Sequence, residues 1–109
     1  MKLITEETLK LFRELGSQSE NQDPIVVCKF FNPMGTGTWF ATEYDLKDKI
    51  FFGYVSLFED YNDEWGAFSL DELESVKGPF GLGIERDLYF KPMKFSEVNK
   101  LYKLNAYVQ

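Results

Sequence analysis

The chain holds 109 residues, with 44% hydrophobic and 28% charged side chains, the size and balance of one folded domain spanning residues 1–109. Twelve Lys and Arg against 18 Asp and Glu give a formal net charge of −6, which opposes direct nucleic-acid binding, where basic patches supply affinity by releasing counterions. Histidine is absent, so Ser-His-Asp triads, Cys-His nucleophiles and imidazole-liganded zinc are excluded together.

Thr5 followed by Glu6 and Glu7 reads as an N-cap with acids in the first turn, and Leu9, Leu11, Phe12 and Leu15 continue at helical spacing until Gly16. A helix over Glu6 to Leu15 is expected. Ser17 to Pro24 is polar and reads as a loop. Ile25 to Phe31 and Thr38 to Tyr44 are β-branched and aromatic on either side of a Gly-rich turn, a hairpin pattern. Asp45 to Lys49 turns the chain into a third strand, Ile50 to Leu57, whose Gly53 signals a bulge or a close backbone approach.

An acidic, aromatic loop, Glu59 to Trp65, leads to a short strand from Gly66 to Ser69. Ser69 and Glu72 stand at capping-box spacing before a brief helix, Leu70 to Val76. Gly78 to Gly83 must be loop, Asp87 to Phe90 reads as the last strand, and Phe95, Val98, Leu101 and Tyr102 trace a C-terminal helix to about Leu104. The expected fold is α+β: a mostly antiparallel sheet of about five strands, with helices at both termini and one short internal helix.

Strand alternation would put Trp39, Ala41 and Glu43 on one face and Thr38, Phe40, Thr42 and Tyr44 on the other, with Glu43 beside an aromatic that could raise its pKa. Glu85, Arg86 and Asp87 form a charged triplet, and Arg86 is one of only two arginines. Two readings stay open. In one, Arg86 forks to a carboxylate such as Glu43 or Asp45 and staples two strands; in the other, Glu43, Glu85, Arg86 and Asp87 form a polar pocket for a ligand. Asp60, Asn62 and Glu64 mimic a calcium loop, but Trp65 replaces the turn glycine, so no metal site is expected. The glycine stretches lack a phosphate fingerprint and no cofactor is expected. Cys28 reads as a buried, inert thiol on the face of Val26 and Phe30.

Several motifs occur together: Lys29-Phe30-Phe31 with Pro33, Thr38-Trp39 with Ala41-Thr42-Glu43 and Asp45, and Phe52-Gly53 with Val55. They are followed by Gly66 with Phe68-Ser69-Leu70, then Glu72-Leu73, Gly78 to Leu82, and Ile84-Glu85-Arg86-Asp87. From Ile25 to Phe90 this set resembles a small bacterial family classified only as a domain of unknown function, whose members are carried largely on plasmids, phages and conjugative elements. The resemblance implies an accessory protein of mobile DNA without an assigned activity or cofactor. The acidic loop Glu59 to Trp65 is longer than the usual pattern.

The function expected is a non-enzymatic protein-interaction module of a mobile element, an inhibitor or modulator of a host or element protein. Its partner would present a basic surface to the acidic residues. Asp60, Tyr61, Asp63, Glu64 and Trp65, with Asp71, Glu72 and Glu74, are the candidate contact residues, alongside Trp39, Glu43, Asp45, Glu85, Arg86 and Asp87. The alternative is a small hydrolase or transferase drawing an acid-base pair from Glu43, Glu85 and Asp87, with Arg86 holding an anionic group. A monomer or weak homo-oligomer is expected. No apolar run approaches the ~20 residues that span a bilayer, and the opening MKLITEETLK has glutamates where an export signal is apolar, so a cytoplasmic location is expected.

Overall fold

A computed structural model describes residues 1–57 and 63–104. Helix α1 (Glu6–Leu15) starts at Thr5, whose hydroxyl accepts the Thr8 amide while the Thr8 hydroxyl accepts the Thr5 amide, a reciprocal cap. The chain then forms β1 (Ile25–Val26), β2 (Cys28–Phe31), β3 (Thr38–Asp45), β4 (Ile50–Ser56) and β5 (Glu64–Ser69). Helix α2 (Leu70–Ser75) follows, capped by the Ser69 hydroxyl on the Glu72 amide. Beyond a 3₁₀ turn at Pro79–Gly81 come β6 (Glu85–Arg86), β7 (Met93–Lys94) and α3 (Phe95–Tyr102).

Five strands pair antiparallel in the order β5-β4-β3-β2-β6, and β1 pairs with β7 in a separate two-stranded ladder. The α+β expectation holds, with helices near both termini. Each sheet face carries its own core. Phe12 of α1 and Leu73 of α2 pack on Cys28, Phe30, Ala41, Phe51 and Phe68, whereas Phe95 and Val98 of α3 pack on Val26, Phe40 and Tyr54. The sheet is therefore the middle layer of three.

Two bulges set which side chain reaches which layer. In β3, Ala41 pairs with Gly53 and Glu43 with Phe52, which leaves Thr42 as the extra residue. Between β1 and β2, Val27 donates to the Ala41 carbonyl at 2.8 Å while Cys28 is also opposite Ala41. Simple alternation consequently fails past each bulge. Tyr44 lies with Trp39 and Ala41 in the α1 core, Glu43 joins the cross-strand row of Phe52 and Ala67, and Cys28 is in a different core from Val26.

The buried side chain of Gln18 holds both irregularities. Its amide nitrogen donates to the carbonyls of Ile25 (2.8 Å) and Thr42 (2.7 Å), and its oxygen accepts the Ile25 amide (2.7 Å). Gly53 fits beside them because a Cβ there would run into the Phe40 carbonyl oxygen.

Element boundaries also differ from expectation at the C-terminal end. The last strand of the main sheet is Glu85–Arg86, because Asp87 turns the chain: its carboxylate accepts the Tyr89 amide (2.9 Å) and its carbonyl the Phe90 amide (3.3 Å). β7 was not expected, being two residues long and paired with a distant segment. α3 ends at Tyr102 through Lys103 in the left-handed region. Its start lacks a local side-chain cap, and Asp23 supplies one from the loop, accepting the Ser96 amide (2.8 Å) and hydroxyl (2.6 Å).

Candidate functional site

Arg86 sits opposite Phe30 on β2, and facing residues of paired strands share a side of the sheet. Its side chain is thereby on the α1 layer, with Cys28 two residues from Phe30 on the same side. Asp87 falls to the other side, where its carboxylate meets the Lys29 ammonium at 3.2 Å. That ammonium also lies 4.5 Å from the Tyr102 ring centre and 5.7 Å from that of Phe31. Adjacent members of the charged triplet thus work in different layers.

A cleft of about 500 Å³ opens between α1 and the segment from Arg86 to Pro92, with Val27 and Cys28 also in its lining. Arg86 is half-buried. Its Nε is buried with no hydrogen-bond partner, and none of the ion pairs among the described residues includes it. The Cys28 thiol cannot compensate this cation, because burial pushes its pKa far up, against a smaller opposing pull from Arg86. It is inert as a nucleophile.

Glu43, Glu85, Arg86 and Asp87 do not converge. Glu43 lines a cleft with Arg13, Asp45 and Phe52, Glu85 lines one with Met1, Val76 and Leu82, and Arg86 and Asp87 line the α1 cleft. The Arg86 staple to Glu43 or Asp45 is likewise not formed. The Thr42 bulge and the early end of β6 account for both corrections, since together they move the carboxylates and the guanidinium to different places on the sheet.

Acidic side chains do gather at another end. Asp45 accepts the amides of Lys47 (3.0 Å) and Asp48 (3.4 Å), which closes the turn after β3. The Leu70 amide donates to the Lys49 carbonyl at 3.0 Å, which docks the start of α2 onto that turn. Asp71, Glu74 and Asp45 thereby lie at the same end of the sheet as Tyr44, near enough to act on it electrostatically. Burial pushes the Tyr44 phenol up, and these three carboxylates push it further. Lys49 reaches Asp71 only at 4.0 Å, with both side chains mostly exposed, a pair worth little.

Of the acidic-loop candidates, Asp60 and Tyr61 lie outside the described residues. Asp63 is half-buried and accepts the Ser56 hydroxyl at 2.8 Å, and Glu64 is exposed. Trp65 packs into the α3 core, with ring centres 4.5 Å from Phe95 and 5.6 Å from Tyr54. Trp39 packs on the α1 core and leans over Gly37. Asp63 and Glu64 are separated from Asp71, Glu72 and Glu74 by the length of β5, six residues, roughly 20 Å of strand. The expected acidic cluster is two clusters.

Sequence reasoning missed Phe80 and Tyr89, which are 95% and 93% exposed. Both occupy turns beside β6, and the signals were the Gly78–Gly83 loop and Asp87 as a turn former.

No group of three or more metal-ligating side chains is placed to hold an ion among the described residues, and no helix there is long and apolar enough to cross a membrane. The molecule belongs to the three-layer α+β proteins, an antiparallel sheet clad by helices on both faces. More particularly, residues 3–102 match the model of a protein family of unknown function, DUF2958, and the chain belongs to that family. No curated protein and no solved structure matches it.

Proposed function

We propose that the protein is a non-enzymatic interaction module of a mobile genetic element, which uses its acidic surface to engage a basic face of a host or element protein and so inhibits or modulates it. The observation that supports this reading is the pairing of Asp45 with Ile50 and of Ile50 with Ser69, with α2 docked on the Lys49 carbonyl, which brings the exposed carboxylates of Asp45, Asp71 and Glu74 from two separate segments to one end of the sheet. Such a surface steers an oppositely charged partner and raises its association rate. The net charge of −6 acts in the same direction, and the motifs from Lys29 to Asp87 support the mobile-element setting. The hydrolase or transferase reading ranks behind it because its four residues line three separate clefts.

The test is affinity capture from host lysate, with nuclease, using the native protein and a variant carrying Asp45→Asn, Asp71→Asn and Glu74→Gln. The native protein is expected to retain a basic protein at low salt and to lose it as salt rises, whereas the variant retains far less. Equal retention by both proteins, or salt-sensitive binding of duplex DNA by the native protein, would overturn the reading.

A further inference from the structure

The cation in the α1 cleft calls for a ligand. The Arg86 guanidinium is half-buried, forms no ion pair among the described residues and has a buried Nε without a hydrogen-bond partner, which costs stability that a well-packed apolar residue would not. The buried Nε is closed to a ligand, so one in the cleft would meet the terminal nitrogens. No carboxylate forms an ion pair with Arg86 among the described residues: Asp87 pairs with Lys29 on the other side of the sheet, while Glu7 and Glu14, on the helix wall of the cleft, make no ion pair with it. What remains around Arg86 is an open cleft of about 500 Å³, whose walls include Leu11, Val27, Leu88 and Phe90. That volume is in the range of small-molecule sites, which combine apolar walls with a few placed polar groups.

We propose that this cleft binds a monoanionic carboxylate with an apolar body, the carboxylate on the Arg86 guanidinium and the body against Leu11, Leu88 and Phe90. A planar carboxylate matches the two-pronged guanidinium fork. A phosphate dianion fits less well, because the two other cations of the lining, Lys10 and Lys91, are offset by Glu7 and Glu14, which leaves the charge of Arg86 to balance one negative charge and not two. The site is separate from the acidic end and does not depend on the partner proposed above. The same chemistry has two sources, a free carboxylic acid or the C-terminal carboxylate of a peptide ending in an apolar residue.

Amide-shift titration of the ¹⁵N-labelled full chain tests this with four probes: 3-phenylpropionate, its neutral amide, a short peptide ending in Phe with a free carboxylate, and inorganic phosphate. At least one carboxylate is expected to shift amides of Val27, Cys28 and Arg86 to Leu88, with the amide and phosphate binding at least about tenfold more weakly. Binding by the free acid alone or the peptide alone supports the site and assigns its source. Arg86→Met, which keeps length without charge, should weaken binding by about tenfold or more. Leu88→Glu, an exposed change that sets a rival carboxylate in the cleft, should weaken it independently should Arg86→Met fail to fold. The proposal is overturned by carboxylate binding that survives both folded variants, by an amide or phosphate that binds as tightly, or by no shift with either acid at ~10 mM.

Discussion

The acidic end and the α1 cleft handle charge in opposite ways. At the end of the sheet near Tyr44, Asp45, Asp71 and Glu74 act on the phenol but are themselves exposed, so water and salt screen their repulsion and it costs little. In the α1 cleft a single guanidinium is half-buried with its Nε unpartnered, so even one charge matters there. The contrast teaches that placement in the layers decides what a charged residue can do, and placement here is set by two bulges. The Thr42 bulge brings Tyr44 to the acids and takes Glu43 out of the row that a regular strand would give it, while the Val27 bulge shapes the lining of the cleft.

Breaking the bulges should therefore erase the contrast. Gln18→Leu removes three short hydrogen bonds and leaves the carbonyls of Ile25 and Thr42 and the Ile25 amide without their partner. A loss of about 2 to 4 kcal/mol in urea unfolding is expected, with chemical-shift changes spreading to Glu43 and Tyr44. A loss under ~0.5 kcal/mol would show that the bulges hold without Gln18.

Asp23→Ala is the next largest. It uncaps α3, whose first turn otherwise lacks a side-chain acceptor, and should cost about 1 kcal/mol. The change should loosen the α3 layer, with Phe90 packed on it, while the acidic end keeps its shifts, since Tyr44 lies on the other side of the sheet. Hydrogen exchange of α3 amides reads this directly, and unaltered protection would contradict the cap.

The acidic end makes its own prediction at alkaline pH. The Tyr44 phenol is held above its usual value of 10.0, first by burial and then by Asp71, Glu74 and Asp45. A raised acid pKa means that the folded state keeps its proton longer than the unfolded chain. Its contribution to stability is fully present below about pH 10 and declines as pH rises toward and through the raised value. Asp71→Asn with Glu74→Gln should lower the Tyr44 midpoint in an absorbance titration and reduce the alkaline loss, leaving the part due to burial. An unmoved midpoint would mean that these carboxylates do not act on Tyr44. Tyr54 offers a control: its buried hydroxyl has no hydrogen-bond partner, so Tyr54→Phe should change stability by under ~0.5 kcal/mol or improve it.

Much of this architecture was readable from local signals. The Thr5 cap and apolar spacing of α1, the Ser69 cap of α2, and the β-branched and aromatic runs of β2 to β4 each agree with what the structure forms. Gly53 was readable as a bulge or a close backbone approach, and it stands at both, beside the Thr42 bulge and against the Phe40 carbonyl. The site was much less readable. A bulge leaves no mark in a sequence that alternates normally on both sides of it, so Glu43 was assigned to the wrong row. Arg86 could be recognised as scarce, but whether it had a carboxylate depended on the register of a two-residue strand paired with β2, more than fifty positions away. The acidic end needed the docking of α2 on the Lys49 carbonyl, a tertiary contact with no periodic signature.

The claim that most of this rests on is that the fold keeps Arg86 apart from Glu43. A double-mutant cycle with Arg86→Met and Glu43→Gln, followed by urea unfolding, tests it most directly. The two changes are expected to add, with a coupling under ~0.5 kcal/mol, and Arg86→Met alone should be neutral or stabilising because it removes an unpaired charge. A coupling of several kcal/mol, with Arg86→Met strongly destabilising by about 3 to 5 kcal/mol, would mean that the two side chains form a buried pair and would contradict the account.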